Sequence, residues 1–473
     1  MTLQDFIISA QWVFLAYFIS LNLGYLMLNL VAMSALRRYL AERSITSLPA
    51  VYSSFELPIS ILLPAYNEAS VISQSVRALL QLEYPEFEIV VINDGSTDKT
   101  MQLLIDEFSL KYFPEAYRAR LPTAPIRGVY RSTVYPNLRV IDKKNGGGKS
   151  DAINAGINDA RYPLFCVIDA DSILQRDSLT RVVQPFLEDK TTVAVGGTVR
   201  IANGCTVNDG FIEKVDLPQN ALALFQIVEY LRAFLFGRLG WASLNALMNI
   251  SGAFGLFRKE VVIAVGGFNT DTWGEDMELT LRLHRYLREK GQPYRITFVA
   301  DPICWTEAPE DLRGLANQRI RWQRGLAESL VMNYKLMTSG RGGVVGWFAF
   351  PFHVIFEFLG PVVEITGLAF IIIAYWFGWL SLESFAAFML VAIGMGILLS
   401  TSALVFEAMS FRVYPRLFQS FRLFLMSIAE NLGYRQLNSI WRIIGMIGWA
   451  FGTQPTWGEM RASSKLGKKA RSV

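Results

Sequence analysis

From Phe6 to Leu36 the chain carries no charged residue, a run well beyond the roughly 20 residues an α-helix needs to cross a bilayer. Such a run must lie in lipid or be buried in protein. With 52% hydrophobic and only 18% charged residues, against roughly 45–50% and about 25% in ordinary soluble domains, lipid is favoured. Arg37, Arg38 and Arg43 follow the run, whereas only Asp5 precedes it. The positive-inside bias then places everything after Arg37 in the cytoplasm. A cleaved signal peptide wants a basic start and a shorter apolar core, so residues 1–44 read as an uncleaved transmembrane anchor.

A second apolar zone begins near Val344, and residues 344–410 read as transmembrane helices. Phe385 to Phe406 is free of charge, whereas Phe352 to Leu380 is interrupted by Glu357, Pro361 and Glu364. Ile440 to Phe451 is short for a crossing and reads as a re-entrant or interfacial piece. The basic tail Lys465–Arg471 belongs with the cytoplasmic side, so an even number of spans, two, is expected after the central block. Residues 411–473 are expected to hold interfacial helices and that tail. Tyr414 to Tyr434 is amphipathic, and so is Ala221 to Gly240, which suits either the membrane surface or the face of a soluble core. Glu357, Glu364 and Glu407 sit in or beside apolar segments, where a carboxylate is costly unless it faces a polar cavity or a partner. A polar passage is one reading; a place at interfaces or pairing with Arg412 and Arg422 is the other.

Residues 57–336 alternate β-rich runs with helical patterns, enough chain for one α/β domain. The three cysteines form no CxxC pair and only two histidines are present, which argues against zinc, a disulfide framework and histidine catalysis. A net charge of +4 fits basic membrane flanks rather than nucleic-acid binding.

Ile59–Leu63 reads as a buried strand and runs into Pro64-Ala65-Tyr66-Asn67-Glu68. A second strand, Glu88–Ile92, ends in Asn93-Asp94-Gly95-Ser96. Strand, polar turn, helix, strand, polar turn is the rhythm of a doubly wound sheet, whose ligands bind beyond the carboxyl ends of strands, although Asn-Asp-Gly-Ser also suits a plain turn. A third strand, Leu164–Ile168, leads into Asp169-Ala170-Asp171. Two acids at i and i+2 repel unless a cation sits between them, and Mg²⁺ or Mn²⁺ held with phosphate oxygens fits. Asn145-Gly146-Gly147-Gly148-Lys149-Ser150 fails as a P-loop, because Lys143 occupies the position of the first glycine. Lys149 remains either a diphosphate partner or part of a solvated loop. Trp273-Gly274-Glu275-Asp276 opens a helix and offers a carboxylate as cap or as proton acceptor. Gln318, Arg321 and Trp322 share one helical face.

In this order the features resemble the membrane-embedded, processive members of glycosyltransferase family 2: the cellulose, hyaluronan, chitin and poly-N-acetylglucosamine synthases. Their D,D,D,QxxRW signature maps onto Asp94, Asp169/Asp171, Asp276 and Gln318/Arg321/Trp322. The resemblance implies a GT-A fold, an α/β domain with a doubly wound mixed sheet flanked by transmembrane and interfacial helices. It implies an inverting β-glycosyltransferase of the inner membrane that polymerises a UDP-sugar, leaning to UDP-N-acetylglucosamine with UDP-glucose as the alternative, and helps to move the polymer across the bilayer. Tyr66, Glu68, Asp94, Lys149, Asp169 and Arg321 would serve the donor. Asp171 with Asp169 would hold the metal, Asp276 would be the base, and Glu275, Gln318 and Trp322 would face the acceptor polysaccharide. Trp457 and Arg461 resemble a gating segment. Accessory secretion subunits stay open. A non-processive lipid glycosyltransferase and an inactive pore component are the competing readings.

Overall fold

The computed structural model describes residues 3–46, 57–114 and 119–452. Trp457, Arg461 and the basic tail lie outside the described residues. The strands are β1 (Ile59–Ala65), β2 (Phe87–Asn93), β3 (Leu110–Tyr112), β4 (Ile126–Ser132), β5 (Leu138–Lys143), β6 (Leu164–Ile168), β7 (Ile173–Leu174), β8 (Thr192–Ile201), β9 (Thr206–Asn208), β10 (Phe211–Lys214), β11 (Phe254–Arg258) and β12 (Arg295–Thr306). Ten of them form one sheet in the order β3-β4-β5-β2-β1-β6-β11-β8-β12-β7, and β9 and β10 form a separate hairpin. The run β5-β2-β1-β6 is parallel, as is β8 with β12, and the remaining pairs are antiparallel. This is the doubly wound mixed sheet expected from the sequence.

Buried parallel strands read as unbroken apolar runs because both faces are covered, and Ile59, Ile61–Leu63, Ile89–Ile92 and Leu164–Ile168 are all buried. The helix Lys149–Asp159 lies over β1 and β2. Gly156 lets it approach, since a Cβ there would fall 2.9 Å from the Ile92 side chain. Register then builds a site: Ala65 pairs with Asn93, and Leu62 with Val167, so the residues after β1, β2 and β6 leave the sheet at one edge.

Among the described residues two helices are long and apolar enough to cross a membrane, Ile7–Ala41 and Leu382–Ser410; the pair Val345–Phe358 and Gly360–Trp376 meets the same test across a 46° bend. The helical stretch from Ala221 settles an open choice. Leu224, Ile227, Val228, Leu231, Phe234 and Leu235 are buried in the main core, and the helix packs on β8 and on the span Met395–Ser410. It covers the sheet, as the second reading of it expects. The helix Leu417–Ala429 instead exposes Leu417, Phe418, Phe421, Phe424 and Leu425, an apolar face of the kind lipid covers.

Glu407 has a partner other than Arg412 or Arg422. Its carboxylate is buried on Arg200 of β8, tying the last span to the sheet. Glu364 pairs with Arg435 at 2.9 Å and Glu357 with Arg442 at 3.2 Å, so the partners are not Arg412 and Arg422. The guanidinium groups that reach these acids come from the helix Arg435–Ala450.

Candidate active site

A cavity of about 3630 Å³ opens at the edge where β1, β2 and β6 end. Tyr66, Glu68, Asp94, Lys149, Asp169, Asp171, Glu275, Asp276, Gln318, Arg321 and Trp322 all line it. The same cavity continues past Tyr17 and Tyr25 of the first helix, Glu357 and Glu364 of the bent pair, and Arg435 and Arg442 of the last helix. Polar side chains on the first helix, the bent pair and the last helix thus share one cavity with the strand-end acids.

The turns after β1 and β2 hold each other. Asn67 donates its backbone N–H to Ser96 Oγ at 3.0 Å and accepts from the Thr97 amide at 2.8 Å, and the Glu68 amide donates to Thr100 Oγ1 at 2.9 Å. Gly95 has φ +68°, and a Cβ there would fall 2.6 Å from the Asn145 backbone nitrogen, so only glycine lets the glycine-rich loop approach so closely.

Asp94 is almost wholly buried. Its carboxylate pairs with the fully buried Lys143 and accepts the Gly146 amide at 3.1 Å. Lys143 also pairs with Asp151. In this arrangement Asp94 is spent on ordering the glycine loop. Lys143, which counted in the sequence only as a missing glycine, is the cation that holds it. A lysine's burial leaves no mark on a single sequence.

Around β6 the acids crowd. Asp171 is pushed up to about 6, first by burial and then by the Asp169 charge, with Lys149 opposing. Glu68 is pushed up to about 7 by burial, then by Asp171, Asp169 and Asp98. Lys149, the first residue of its helix, pairs with Asp169 and donates to the Gly252 carbonyl at 2.8 Å. Burial would lower its ammonium, but Asp169, Glu275 and Asp276 outweigh that and hold it above the ordinary lysine value. Among the described residues no three His, Cys, Asp or Glu side chains close into a metal cage. The repelling Asp169–Asp171 pair nevertheless fits a hard divalent cation whose remaining ligands are phosphate and water oxygens.

Glu275 and Asp276 open the helix Glu275–Glu289, at the positive end of its dipole. Asp276 accepts the Gly252 amide at 2.9 Å and its neighbour Met277's amide at 2.8 Å, which fixes its orientation. Glu275 is pushed up to about 7 by burial and then by Asp276, with Lys149 and Arg321 opposing.

Gln318, Arg321 and Trp322 lie on the helix Leu312–Met332. The Gln318 Oε1 is buried without a hydrogen-bond partner, and Trp322 is 42% exposed. Arg319, passed over in the sequence, lays its guanidinium 4.5 Å from the Trp322 ring centroid and grips Glu229 with two hydrogen bonds of 2.7 and 2.8 Å. Tyr434 donates to the same Glu229 at 3.2 Å. The Q-R-x-R-W spelling, with a second arginine inside the motif, was the signal available.

Comparison with known proteins finds the following likenesses. A family model described as Glycosyl transferase family 2 matches residues 60–265, and one described as Glycosyl transferase family group 2 matches residues 164–391. A poly-beta-1,6-N-acetyl-D-glucosamine synthase of Staphylococcus epidermidis is 29% identical over 276 residues, 58% of this chain and 56% of that protein. The protein of the same name from Staphylococcus aureus is 30% identical over 278 residues, again 58% and 56%. The matched region therefore spans little more than half the length of these relatives. Among solved structures, a mannosyltransferase of Pyrobaculum calidifontis in complex with GDP-Man and Mn²⁺ aligns with TM-score 0.47 and 18% identity over 88% of this chain and 99% of that one.

Proposed function

The protein carries a glycosyl transferase family 2 domain, and from that premise we propose that it is an inverting, processive β-glycosyltransferase. It extends a polysaccharide from a UDP-sugar, UDP-N-acetylglucosamine first among the donors, and feeds the product into the membrane. The observation that carries this reading is the single cavity in which the strand-end acids, Asp276 and the Gln318/Arg321/Trp322 face meet and which runs on between the membrane helices. The names of the Staphylococcus relatives support the polymer and the N-acetylglucosamine donor. The apolar helices support a multi-pass membrane protein with this domain on the cytoplasmic side.

In this reading Asp276 takes the proton from the acceptor hydroxyl, which attacks the anomeric carbon of an α-linked donor from the opposite face. The bond to UDP breaks and the product is β-linked. Tyr66 and Glu68 bound the nucleotide pocket, and Asp94 acts through the glycine loop it orders. Asp169 and Asp171 are the residues to hold Mg²⁺ or Mn²⁺, whose charge would balance the departing diphosphate. Lys149 and Arg321 add positive charge there. Lys149 already faces Asp169, which puts its ammonium beside the place proposed for the metal and the diphosphate. Trp322, held flat by Arg319, stacks the acceptor sugar, and Gln318 offers it an unspent carbonyl.

The test is UDP release by the purified full-length chain across a panel of UDP-sugars, together with the size of the product. A high-mass polymer supports the reading. One sugar per acceptor replaces processivity with lipid glycosylation, and no UDP release from any donor overturns the reading.

A further inference from the structure

The buried arginines Arg139, Arg200 and Arg319 each close on an acid: Glu88 and Asp159, Glu407, and Glu229 respectively. Arg238 does not. Among the described residues no carboxylate pairs with it, and its Nη1 is buried without a hydrogen-bond partner. It lies over the face of Phe234, 3.9 Å from guanidinium carbon to ring centroid. Arg238 as a whole is half-buried, with its Nη1 shut away from solvent, and a buried donor left without an acceptor is costly. Burial alone pulls it down to about 10, with Asp276 the first charge to push it back up. The residue ends a π-helical turn, Ala233–Arg238, of the kind that recurs where a helix is bent for function. The turn delivers Arg238 to the wall of the active cavity. Asn249 lines the same cavity with a buried Oδ1 that also lacks a partner. It lies three residues before Gly252, whose amide holds Asp276.

A guanidinium can only donate hydrogen bonds and a side-chain carbonyl can only accept them. Two orphans of opposite kind on the wall of a carbohydrate cavity describe half of a sugar-binding surface. Building on the glycosyltransferase reading, we propose that Arg238 and Asn249 form the subsite for the donor's sugar ring: Arg238 donates to a hydroxyl or N-acetyl oxygen, and Asn249 accepts from a hydroxyl or amide N–H, of a neutral hexose or N-acetylhexosamine.

The experiment compares the full-length wild type with R238Q, R238K and N249A. It measures the KM for UDP-N-acetylglucosamine and for UDP-glucose, the inhibition constant of UDP alone, and the thermal midpoint. In R238Q the KM of the preferred donor rises about ten- to a hundredfold, the scale of a lost charged hydrogen bond, whereas UDP inhibits as before because it lacks the transferred hexose. R238K recovers part of the loss, and N249A gives a smaller rise. The midpoint of R238Q holds, since no ion pair is lost. An unchanged KM overturns the proposal. So does a parallel loss of UDP affinity, which would put Arg238 on the diphosphate, or a fall in midpoint, which would make it structural. A wild type that releases UDP from no donor brings down the functional reading itself, and the subsite with it.

Discussion

Gly274 and Gly325 meet backbone to backbone: a Cβ built on either would fall 2.8 Å from the other's Cα. Ser329 adds a hydrogen bond from its hydroxyl to the Gly274 carbonyl at 3.2 Å. The contact locks the first turn of the helix that bears Asp276 onto the helix that bears Gln318, Arg321 and Trp322. The proposed base and the proposed acceptor platform are thereby set at one separation.

Gly325→Ala is therefore expected to push the two helices apart. Overpacking of this kind costs about 1–3 kcal/mol, and a shift near 1 Å at a reacting geometry can cost about a hundredfold in rate. Sugar transfer should fall at least tenfold while UDP inhibits as in the wild type. Unchanged transfer would show that the separation does not matter.

Asp276→Asn keeps the size of the side chain and one acceptor oxygen for the surrounding amides, but it takes up no proton. Transfer should drop about 10²–10⁴-fold, the usual share of a placed base, with UDP affinity preserved. Asp171→Asn should do the reverse, weakening UDP binding in the presence of Mg²⁺ or Mn²⁺. Parallel losses of rate and UDP affinity in Asp276→Asn would remove Asp276 from the base role.

Much of this arrangement is legible before any coordinates. The strand Leu164–Ile168 has the same limits in sequence and structure, because a strand covered on both faces needs apolar residues at every position. The acids beyond it follow from strand-end topology. What stays hidden is long-range pairing of charge. Nothing in the sequence joins Glu407 to Arg200, Glu229 to Arg319, or Lys143 to Asp94, since pattern reports which face of an element is apolar and is silent on which acid meets which base. The stretch from Ala221 was ambiguous for a related reason: lipid and a sheet both want an apolar face.

The Glu229–Arg319 pair should act on Trp322 rather than on chemistry. Glu229→Gln leaves a buried guanidinium with a weaker acceptor and frees the ring above it. Products should become shorter, measured by gel filtration, at nearly normal UDP release, because a looser platform lets the acceptor leave between additions. Polymer of wild-type length from Glu229→Gln would show that Trp322 needs no such support.

Glu275 and Glu68 make stability depend on pH in a stated direction. Both are held near 7 in the folded chain against an ordinary value of 4.5, so the folded state keeps protons that the unfolded state has already released. Stability must then fall as pH rises between those two values. It is greatest below the unfolded value, where both states are protonated, and is lost as pH passes through about 7. The thermal midpoint of the full-length protein without nucleotide should therefore decline from pH 5 to pH 8. Glu275→Gln removes the larger burial penalty, so it should flatten that decline and raise the midpoint at pH 8. Differential scanning fluorimetry in detergent reads both effects. A midpoint that climbs over the window, or a Glu275→Gln variant with an unaltered slope, would mean that Glu275 gives up its proton in the folded chain as readily as in solution, and that the cavity around Asp276 is far wetter than its burial implies.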